Sequence, residues 1–173
     1  MANFTELLYK RKSIREFNEY AIKDEEINLL LEAATRAPNA CNFQSWHFYA
    51  ITNKQMMDAF YPEICGSKWI TTASMIIVVC TDADRLQQSF GDRGSNLFAV
   101  QDTAAAITNI LLQAADIGLG GCWIGPFSEE KCRELLNLPA AHRPIALLPI
   151  GQPKSEPNNR DRRPLADVVT LIK

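Results

Sequence analysis

Histidine is the scarcest chemically reactive residue in this sequence, with only His47 and His142 among 173 residues. Because the two lie nearly a hundred positions apart, a serine or cysteine hydrolase would need an unusual general base. The five cysteines form no Cys-x-x-Cys pair, so the spacing predicts no metal site. The number of cysteines is also odd, so they cannot all pair within the chain, and the chain is long enough to form its own core without disulfides. We therefore expect reduced thiols and a cytoplasmic protein.

Long apolar runs and common nucleotide-binding motifs are also lacking. The longest purely apolar run, Met75 to Cys80, is too short to cross a bilayer, and the first residues predict no secretory signal. No G-x-G-x-x-G, G-x-x-x-x-G-K-[ST], H-E-x-x-H or G-x-S-x-G motif occurs. The glycines from Gly118 to Gly125 run from a predicted helix into a strand, the reverse of the Rossmann order. These absences favour chemistry carried by a bound cofactor.

The charge is unevenly distributed along a chain of ordinary globular composition, with 47% hydrophobic and 22% charged residues. Residues 10–15 carry four positive charges and residues 160–163 carry a net charge of +2, whereas the whole chain is at −2. Nucleic-acid-binding proteins are usually basic overall or along one face. Two small basic clusters on an acidic chain suit a single small anion, such as a phosphate monoester.

Hydrophobic periodicity predicts one α/β-type domain, residues 1–173, with a C-terminal arm over residues 151–173. Five helices are expected: residues 4–11, 25–36 with Asp24 as N-cap, 53–61 with Asn53 as N-cap, 97–114 with Gly118 at C′, and 128–137 with Ser128 as N-cap. Four strands are expected: residues 46–52, 75–80, 120–124 and 144–150. An apolar segment, residues 168–171, is left without a place in the monomer's sheet.

Two segments could carry a binding function. In the extended form, Arg11, Ser13 and Arg15 would point to one side and could meet a phosphate; the alternative is a solvated basic patch. Residues 37–46 combine small side chains and side-chain amides before a strand, which could line a pocket for a planar heterocycle. The alternative there is an ordinary loop that uses Pro38 and Asn39 as turn formers.

Five motifs in chain order resemble the FMN-dependent nitroreductase family. They are Arg-x-Ser-x-Arg-x-Phe from Arg11, Leu-x-x-Ala-x-x-Ala-Pro leading to Asn-x-Gln-x-Trp, Asp102 with Asn109 on the long helix, residues 118–125, and Arg-Arg-Pro-Leu-x-x-Val-Val from Arg162. Two positions depart from the family pattern. Asn39 stands where the family usually has serine, and Ser45 where it usually has proline.

The resemblance implies a three-layer α/β/α sandwich with a mainly antiparallel central sheet. It also implies a homodimer with FMN in each of two clefts at the subunit interface. The arm of each subunit would wrap its partner and add a strand to the partner's sheet. The spare apolar segment agrees with this, because an exposed apolar strand is otherwise a liability.

The resemblance also assigns roles at the flavin. The phosphate would be held by Arg11, Lys12 and Ser13, with Arg160 and Arg162 closing over it. Arg15 would approach the flavin N1/O2 edge, and the backbone N–H groups of Ile124 and Gly125 would face N5. From the other subunit, Pro38, Asn39 and Ala40 would pack on the ring, with Asn42 or Gln44 at its polar edges. Arg15 and Gly125 are the expected catalytic residues, and residues 81–96, including Phe90, are the only candidate lid.

The implied activity is hydride transfer from NADH or NADPH through flavin N5 to a nitroaromatic, quinone or similar flat acceptor, by a ping-pong mechanism. Three alternatives stay open. The chain could be a family relative that acts on another substrate, or a flavin-binding protein without catalytic function. The basic ends could also form a nucleic-acid surface, which the acidic remainder disfavours. No nucleic-acid or membrane partner is expected.

Overall fold

A four-stranded antiparallel sheet lies at the centre of the fold. The computed structural model describes residues 3–158 and 160–173. The strands are β1 (Trp46–Ile51), β2 (Met75–Asp82), β3 (Gly120–Gly121) and β4 (His142–Gly151), in the order β1-β2-β4-β3. All three pairings are antiparallel, and β2 shifts register against β4 at Val79/Cys80. The predicted buried strand at Met75–Cys80 is confirmed, since it is covered on both faces.

Helices cover both faces of this sheet. They are α1 (Phe4–Lys10), α2 (Asp24–Thr35), α3 (Lys54–Asp58), α4 (Asp84–Arg93), α5 (Ala99–Asp116) and α6 (Glu129–Leu136). On one face, α2 and α5 bury Leu30, Ile107 and Ile110 against β2 and β4. On the other face, α3 and α6 bury Met57 and Cys132. This gives the three layers that the resemblance implies.

The long helix α5 follows its sequence pattern. Its buried side chains recur at spacings of three and four, and alanines at 99, 106, 114 and 115 allow close packing. The helix ends at Asp116, and Gly118 follows with φ +82, the left-handed conformation that suits glycine at C′. The caps at Asn53 and Ser128 are also confirmed, since each side chain accepts a backbone N–H of its helix.

Two predicted boundaries need correction. Asp24 is the first residue of α2, and the cap position belongs to Lys23, whose N–H donates to the Glu26 carboxylate at 2.9 Å. β3 contains only Gly120 and Gly121, and Ile124 pairs separately with Leu147. These two predictions were wrong because hydrophobic periodicity identifies an element but does not determine its first and last residues.

The candidate lid is a helix. Residues Asp84–Arg93 form α4, and a single π-helical turn, Gly94–Phe98, joins it to α5. At Gly94, a Cβ would lie 2.2 Å from the carbonyl oxygen of Leu86. Gly94 therefore serves close packing. Phe90 is half-exposed and lies between Phe43 and Phe98, with ring centroids 6.3 and 5.4 Å away.

Two further observations concern the whole chain. No helix in residues 3–158 and 160–173 is both long and apolar enough to cross a membrane. In the arm, residues 160–173 are all exposed and contain one 3₁₀ turn, Leu165–Asp167.

Candidate functional site

The basic segment that follows α1 is extended, as its sequence pattern predicts. Arg11 has φ −62 and ψ 120, Ser13 forms a parallel bridge with Gly121, and the N–H of Ile14 donates to Gly121 O at 3.0 Å. Ile14 is buried against the sheet. Because side chains alternate along an extended segment, Arg11, Ser13 and Arg15 share the opposite side.

Gly120 permits this close approach. A Cβ at Gly120 would lie 2.4 Å from Cγ1 of Ile14, a distance that real Cβ contacts do not show. Only glycine at this position therefore allows Ile14 to pack on β3 and hold Ser13 in place.

The two basic clusters come together because residues 16–18, which follow the first cluster, pair with residues 152–154, which precede the second. The N–H of Asn18 donates to Gln152 O at 2.9 Å, the N–H of Lys154 donates to Glu16 O at 3.0 Å, and Phe17 pairs with Pro153. Further along the arm, Pro157, Asn158 and residues 160–162 then lie beside the segment 11–15. The sequence alone did not predict this pairing.

The space between the segment and the arm is a cavity of about 690 Å³. Six predicted phosphate-site or flavin-edge residues line it: Arg11, Lys12, Ser13, Arg15, Arg160 and Arg162. Among its described lining residues, five cations face one acid, Asp161. Lys12 Nζ also lies 3.3 Å from the Glu156 carboxylate, so Lys12 is already paired. The arrangement of cations and a hydroxyl is suited to a phosphate dianion.

A second cavity, of about 640 Å³, lies between residues 17–22 and 71–74. Its described lining includes one lysine, Lys54, which pairs with Asp58, and one glutamate, Glu19. With its cation already neutralised, this cavity lacks the charge that a phosphate requires.

The buried thiol of Cys122 lies beside the basic segment. Burial raises the pKa of Cys122, and the nearby Arg15, Ser13 and Arg11 partly oppose that rise. A buried thiol whose pKa is raised is neutral and unreactive at pH 7. Cys122 therefore acts as a small packing residue behind Ser13 and Arg15.

The loop before β1 is held in an uncommon conformation. Cys41, Asn42 and Gln44 have φ of 49, 57 and 55. Non-glycine residues in this left-handed region cost about 1–3 kcal/mol each and persist where the surroundings determine them. Two internal bonds close the loop, from Gln44 N–H to Asn39 Oδ1 and from Phe43 N–H to Ala40 O, both at 2.9 Å.

A carboxylate from α5 meets both ends of that loop. Asp102 is 5% exposed, and it accepts the N–H of Ala40 at 2.9 Å and the hydroxyl of Ser45 at 2.6 Å. In the sequence, Asp102 belongs to the family pattern but has no predicted role. A lone acid at a position that should be buried in an apolar helix was the available signal, because buried acids are uncommon without partners.

The backbone after β3 has a different arrangement from the one expected. The N–H of Ile124 donates to Leu147 O at 2.9 Å, so it is not free to face a ligand. The expected role of Ile124 as a donor is therefore corrected. Gly125 is exposed, and its N–H donates to no acceptor in the described part of the chain.

The two histidines, far apart in sequence, stack at one end of the sheet. The rings of His47 and His142 have centroids 4.3 Å apart, and the Tyr49 hydroxyl lies 2.6 Å from His142 Nδ1. Asp82 lies 3.9 Å from His142 Nε2. Burial and the neighbouring His142 lower the pKa of His47, and Asp82 opposes them. Within residues 3–158 and 160–173, no three His, Cys, Asp or Glu side chains are placed to bind a metal ion.

Comparison with known proteins agrees with this geometry. The family model described as "Nitroreductase family" matches residues 8–67 and 63–152. The chain belongs to the nitroreductase family.

Nitroreductase relatives match most of the chain. An oxygen-insensitive NADPH nitroreductase of Salmonella typhimurium is 31% identical over 176 residues, which cover 98% of this chain and 73% of that protein. The structure of a nitroreductase family protein from Clostridium novyi NT is 32% identical, with a TM-score of 0.79 and 88% and 86% of the two chains covered. An NADPH:FMN oxidoreductase from Vibrio harveyi, solved with NAD⁺, is 24% identical, with a TM-score of 0.89 and 99% and 78% covered.

Within this nitroreductase fold, the predicted site residues fall into two groups. The basic residues and Ser13 line the cavity of about 690 Å³. A second group, Pro38, Asn39, Ala40, Asn42, Gln44, Ile124 and Gly125, is not among the described lining of that cavity. The cavity also has walls that the sequence analysis did not assign, from Thr5, Leu8 and Tyr9 of α1 and Pro157 and Asn158 of the arm.

Proposed function

We propose that this nitroreductase is an FMN-dependent oxidoreductase that transfers hydride from NADH or NADPH to nitroaromatic, quinone or similar flat acceptors. The observation that carries the proposal is the meeting of two basic clusters, from opposite ends of the chain, around one cavity. Relatives named FMN reductase (NADPH), from Bacillus subtilis, and NADPH-flavin oxidoreductase, from Vibrio harveyi, support flavin and nicotinamide as the cofactors.

The residues present fit the phosphate of FMN. Arg11 and Ser13 lie on one side of the extended segment, and Arg160 and Arg162 of the arm complete the cavity. Guanidinium groups bind phosphate oxygens through paired, charge-assisted hydrogen bonds, and a serine hydroxyl adds a neutral donor. A terminal phosphate monoester is matched to this set better than a diphosphate linked to an adenosine.

Bound flavin would supply two-electron chemistry at N5. Arg15 would lie at the N1/O2 edge, where its fixed positive charge stabilises negative charge that develops on reduction. The exposed N–H of Gly125 would serve as the donor near N5, since the N–H of Ile124 is taken by Leu147. Pro38, Asn39 and Ala40 would pack on the ring of the partner's flavin, with Asn42 or Gln44 at the polar edge.

An open substrate face agrees with a broad acceptor range. Helix α4 lies within residues 81–96, the segment available as a cover, and it carries the half-exposed Phe90 next to Phe43. Reductant and acceptor would then use the same face in turn, which gives ping-pong kinetics. Solvent can supply protons at such a site.

A homodimer agrees with the exposed apolar side chains at both ends of the chain. On α1, Phe4, Leu8 and Tyr9 are exposed, and on the arm Leu165, Val168 and Leu171 are at least half-exposed. A partner subunit that covers α1 and pairs with the arm would bury both sets. All five cysteines are free, four of them buried, which agrees with a cytoplasmic protein.

An absorption spectrum of the purified protein, before and after anaerobic NADH, tests the function. We expect a yellow protein with about one FMN per subunit and bleaching on reduction, followed by reoxidation when a quinone is added. A protein that stays colourless after incubation with FMN would overturn the proposal. Bound FMN that NADH and NADPH fail to bleach would instead indicate a flavin-binding protein without this activity.

A further inference from the structure

Asp102 is a buried carboxylate that the proposed chemistry does not use. It lies in the first turn of α5 and is 5% exposed. No ion pair of the described residues includes it. Its two oxygens instead accept hydrogen bonds from Ala40 N–H at 2.9 Å and from the Ser45 hydroxyl at 2.6 Å. An ionised carboxylate only accepts hydrogen bonds, so both contacts match its chemistry.

The two partners of Asp102 lie at the two ends of the strained loop. Between Ala40 and Ser45, the residues Cys41, Asn42 and Gln44 are all left-handed. Beyond Ser45, the chain enters β1, and Ser45 O accepts the N–H of Asp82 at 3.1 Å. Such a conformation persists only where the surrounding structure holds it. A single side chain that binds both ends fixes the distance across the loop.

We infer that Asp102, acting with Ser45, is a positioning residue that holds the 38–45 loop in the shape needed to pack on the flavin ring. The inference rests on the proposed function, because the ring is the ligand of this loop. It concerns the ring alone, since the loop does not line the phosphate cavity. Losing Asp102 therefore weakens FMN and riboflavin by the same factor.

Three variants remove the two hydrogen bonds of Asp102 to different extents. Asp102→Ala removes both acceptors. Ser45→Ala removes one donor and leaves the Ala40 bond. Asp102→Asn is the conservative variant, because its amide oxygen accepts from Ala40 N–H while its NH₂ group donates to the Ser45 oxygen. Asn109→Ala is the matched control, since Asn109 lies on the same helix and donates to Ala33 O at 3.0 Å, outside the loop.

Fluorescence titration of each purified variant with FMN and with riboflavin is the first measurement. We expect Asp102→Ala to weaken both flavins about tenfold or more, as the loss of a charge-assisted hydrogen bond does. Ser45→Ala weakens both less, and Asp102→Asn stays close to wild type. Asn109→Ala lowers the melting temperature while leaving both affinities unchanged. Arg11→Ala provides the opposite pattern, a loss for FMN only.

Hydrogen exchange of a peptide covering residues 38–46, in flavin-free protein, is the second measurement. Faster exchange in Asp102→Ala than in Asn109→Ala supports the restraint without depending on flavin binding. If Asp102→Ala does not fold, Ser45→Ala and Asp102→Asn decide the question by the same two measurements.

The two possible failures can be told apart. If wild type binds both flavins and neither Asp102→Ala nor Ser45→Ala weakens them, the inference is overturned and the function stands. If wild type binds neither flavin, the function fails and the ring-positioning role fails with it, whatever the exchange experiment shows about the loop. If Asp102→Ala and Asn109→Ala lose flavin affinity equally, Asp102 contributes only to general stability, and the inference is also overturned.

Discussion

At the residue scale, the site depends on a few side chains whose direction is set by their neighbours. Ile14 is buried, and this places Arg11, Ser13 and Arg15 on the side facing the cavity. Lys12 also lines the cavity, but its ammonium group pairs with Glu156. We therefore expect these neighbouring cations to contribute differently to flavin binding, and single substitutions can measure each contribution.

Arg11 should contribute to phosphate binding alone. Arg11→Ala removes a charge-assisted hydrogen bond of roughly 1.5–3 kcal/mol and should weaken FMN about tenfold or more. Riboflavin lacks the phosphate and should bind as before, which titration of both flavins measures. Arg143→Ala, which removes an arginine paired with Glu129 far from the cavity, is the control. Equal weakening of both flavins would remove Arg11 from the phosphate site.

Arg15 should influence the flavin potential more than its binding. If most of a bond of roughly 1.5–3 kcal/mol forms only on reduction, Arg15→Leu lowers the two-electron potential by about 30–65 mV. Arg15→Lys should be intermediate, because it keeps the charge without the planar fork. Spectroelectrochemical titration of the bound flavin measures this. An unchanged potential in an Arg15→Leu variant that still binds FMN would exclude the role.

At the element scale, short contacts between strands and their neighbours fix the geometry. Gly120 of β3 meets Ile14, and Gly94 in the π turn meets Leu86. At the far end of the sheet, β1, β2 and β4 bring together His47, Asp82 and His142. The Gly120 contact and the histidine cluster each lead to a testable prediction.

Gly120→Ala should loosen the basic segment from the sheet. Its Cβ would meet Ile14 at 2.4 Å, so Ile14 must move and Ser13 must move with it. Overpacking of this kind costs about 1–3 kcal/mol, and weaker FMN binding should accompany the loss of stability. Urea unfolding and FMN titration measure the two effects. Gly66→Ala is the control, since its Cβ would meet nothing within 4 Å; no difference between the two variants would contradict the close approach.

The stacked histidines predict the direction of a titration. Burial, and next the charge of His142, lower the pKa of His47 from its ordinary 6.5, so the folded state favours neutral His47. The contribution of His47 to the free energy of unfolding is therefore greatest above pH 6.5. It falls as the pH drops through 6.5, the ordinary pKa, and then through the lower pKa of the folded state.

Histidine NMR titration tests the origin of this lowered pKa. We expect His142→Gln to move the pKa of His47 back up in part, and Asp82→Asn to move it further down. A shift in the opposite direction in either variant would show that the stacking arrangement is wrong.

At the scale of the whole molecule, the domain and its arm have separate roles. The first part of the arm, residues 152–154, pairs with residues 16–18 of the domain, whereas residues 160–173 are exposed. The arm carries two of the five cavity cations, Arg160 and Arg162, and a set of unburied apolar side chains. Phosphate binding and dimerisation should therefore be separable by substitution.

Removing residues 160–173 should abolish tight FMN binding and dimerisation together while leaving the domain folded. The expected interface is large, on the order of 2,000 Å² or more, as in obligate dimers. Light scattering coupled to size exclusion measures the mass. The double variant Arg160→Ala, Arg162→Ala should stay dimeric and lose FMN. The triple variant Val168→Ser, Val169→Ser, Leu171→Ser should weaken the dimer. A truncated chain that remains dimeric and yellow would show that the arm has neither role.

By itself the sequence determined the element types, the basic segment and its alternation, and the family. These depend on local periodicity and on short motifs, and both are visible along the chain. The ends of the elements, the helical conformation of α4 and the hydrogen bond that occupies the N–H of Ile124 depended on packing between distant segments.

Only the tertiary structure decided which residues meet. The pairing of residues 16–18 with 152–154 joins two basic clusters about 150 positions apart in the sequence. The contacts of Asp102 with Ala40 and Ser45, and the stacking of His47 on His142, likewise join distant positions. Local pattern carries no information on such contacts, because they form only when α5 and the sheet bury a common apolar core and bring these polar groups along.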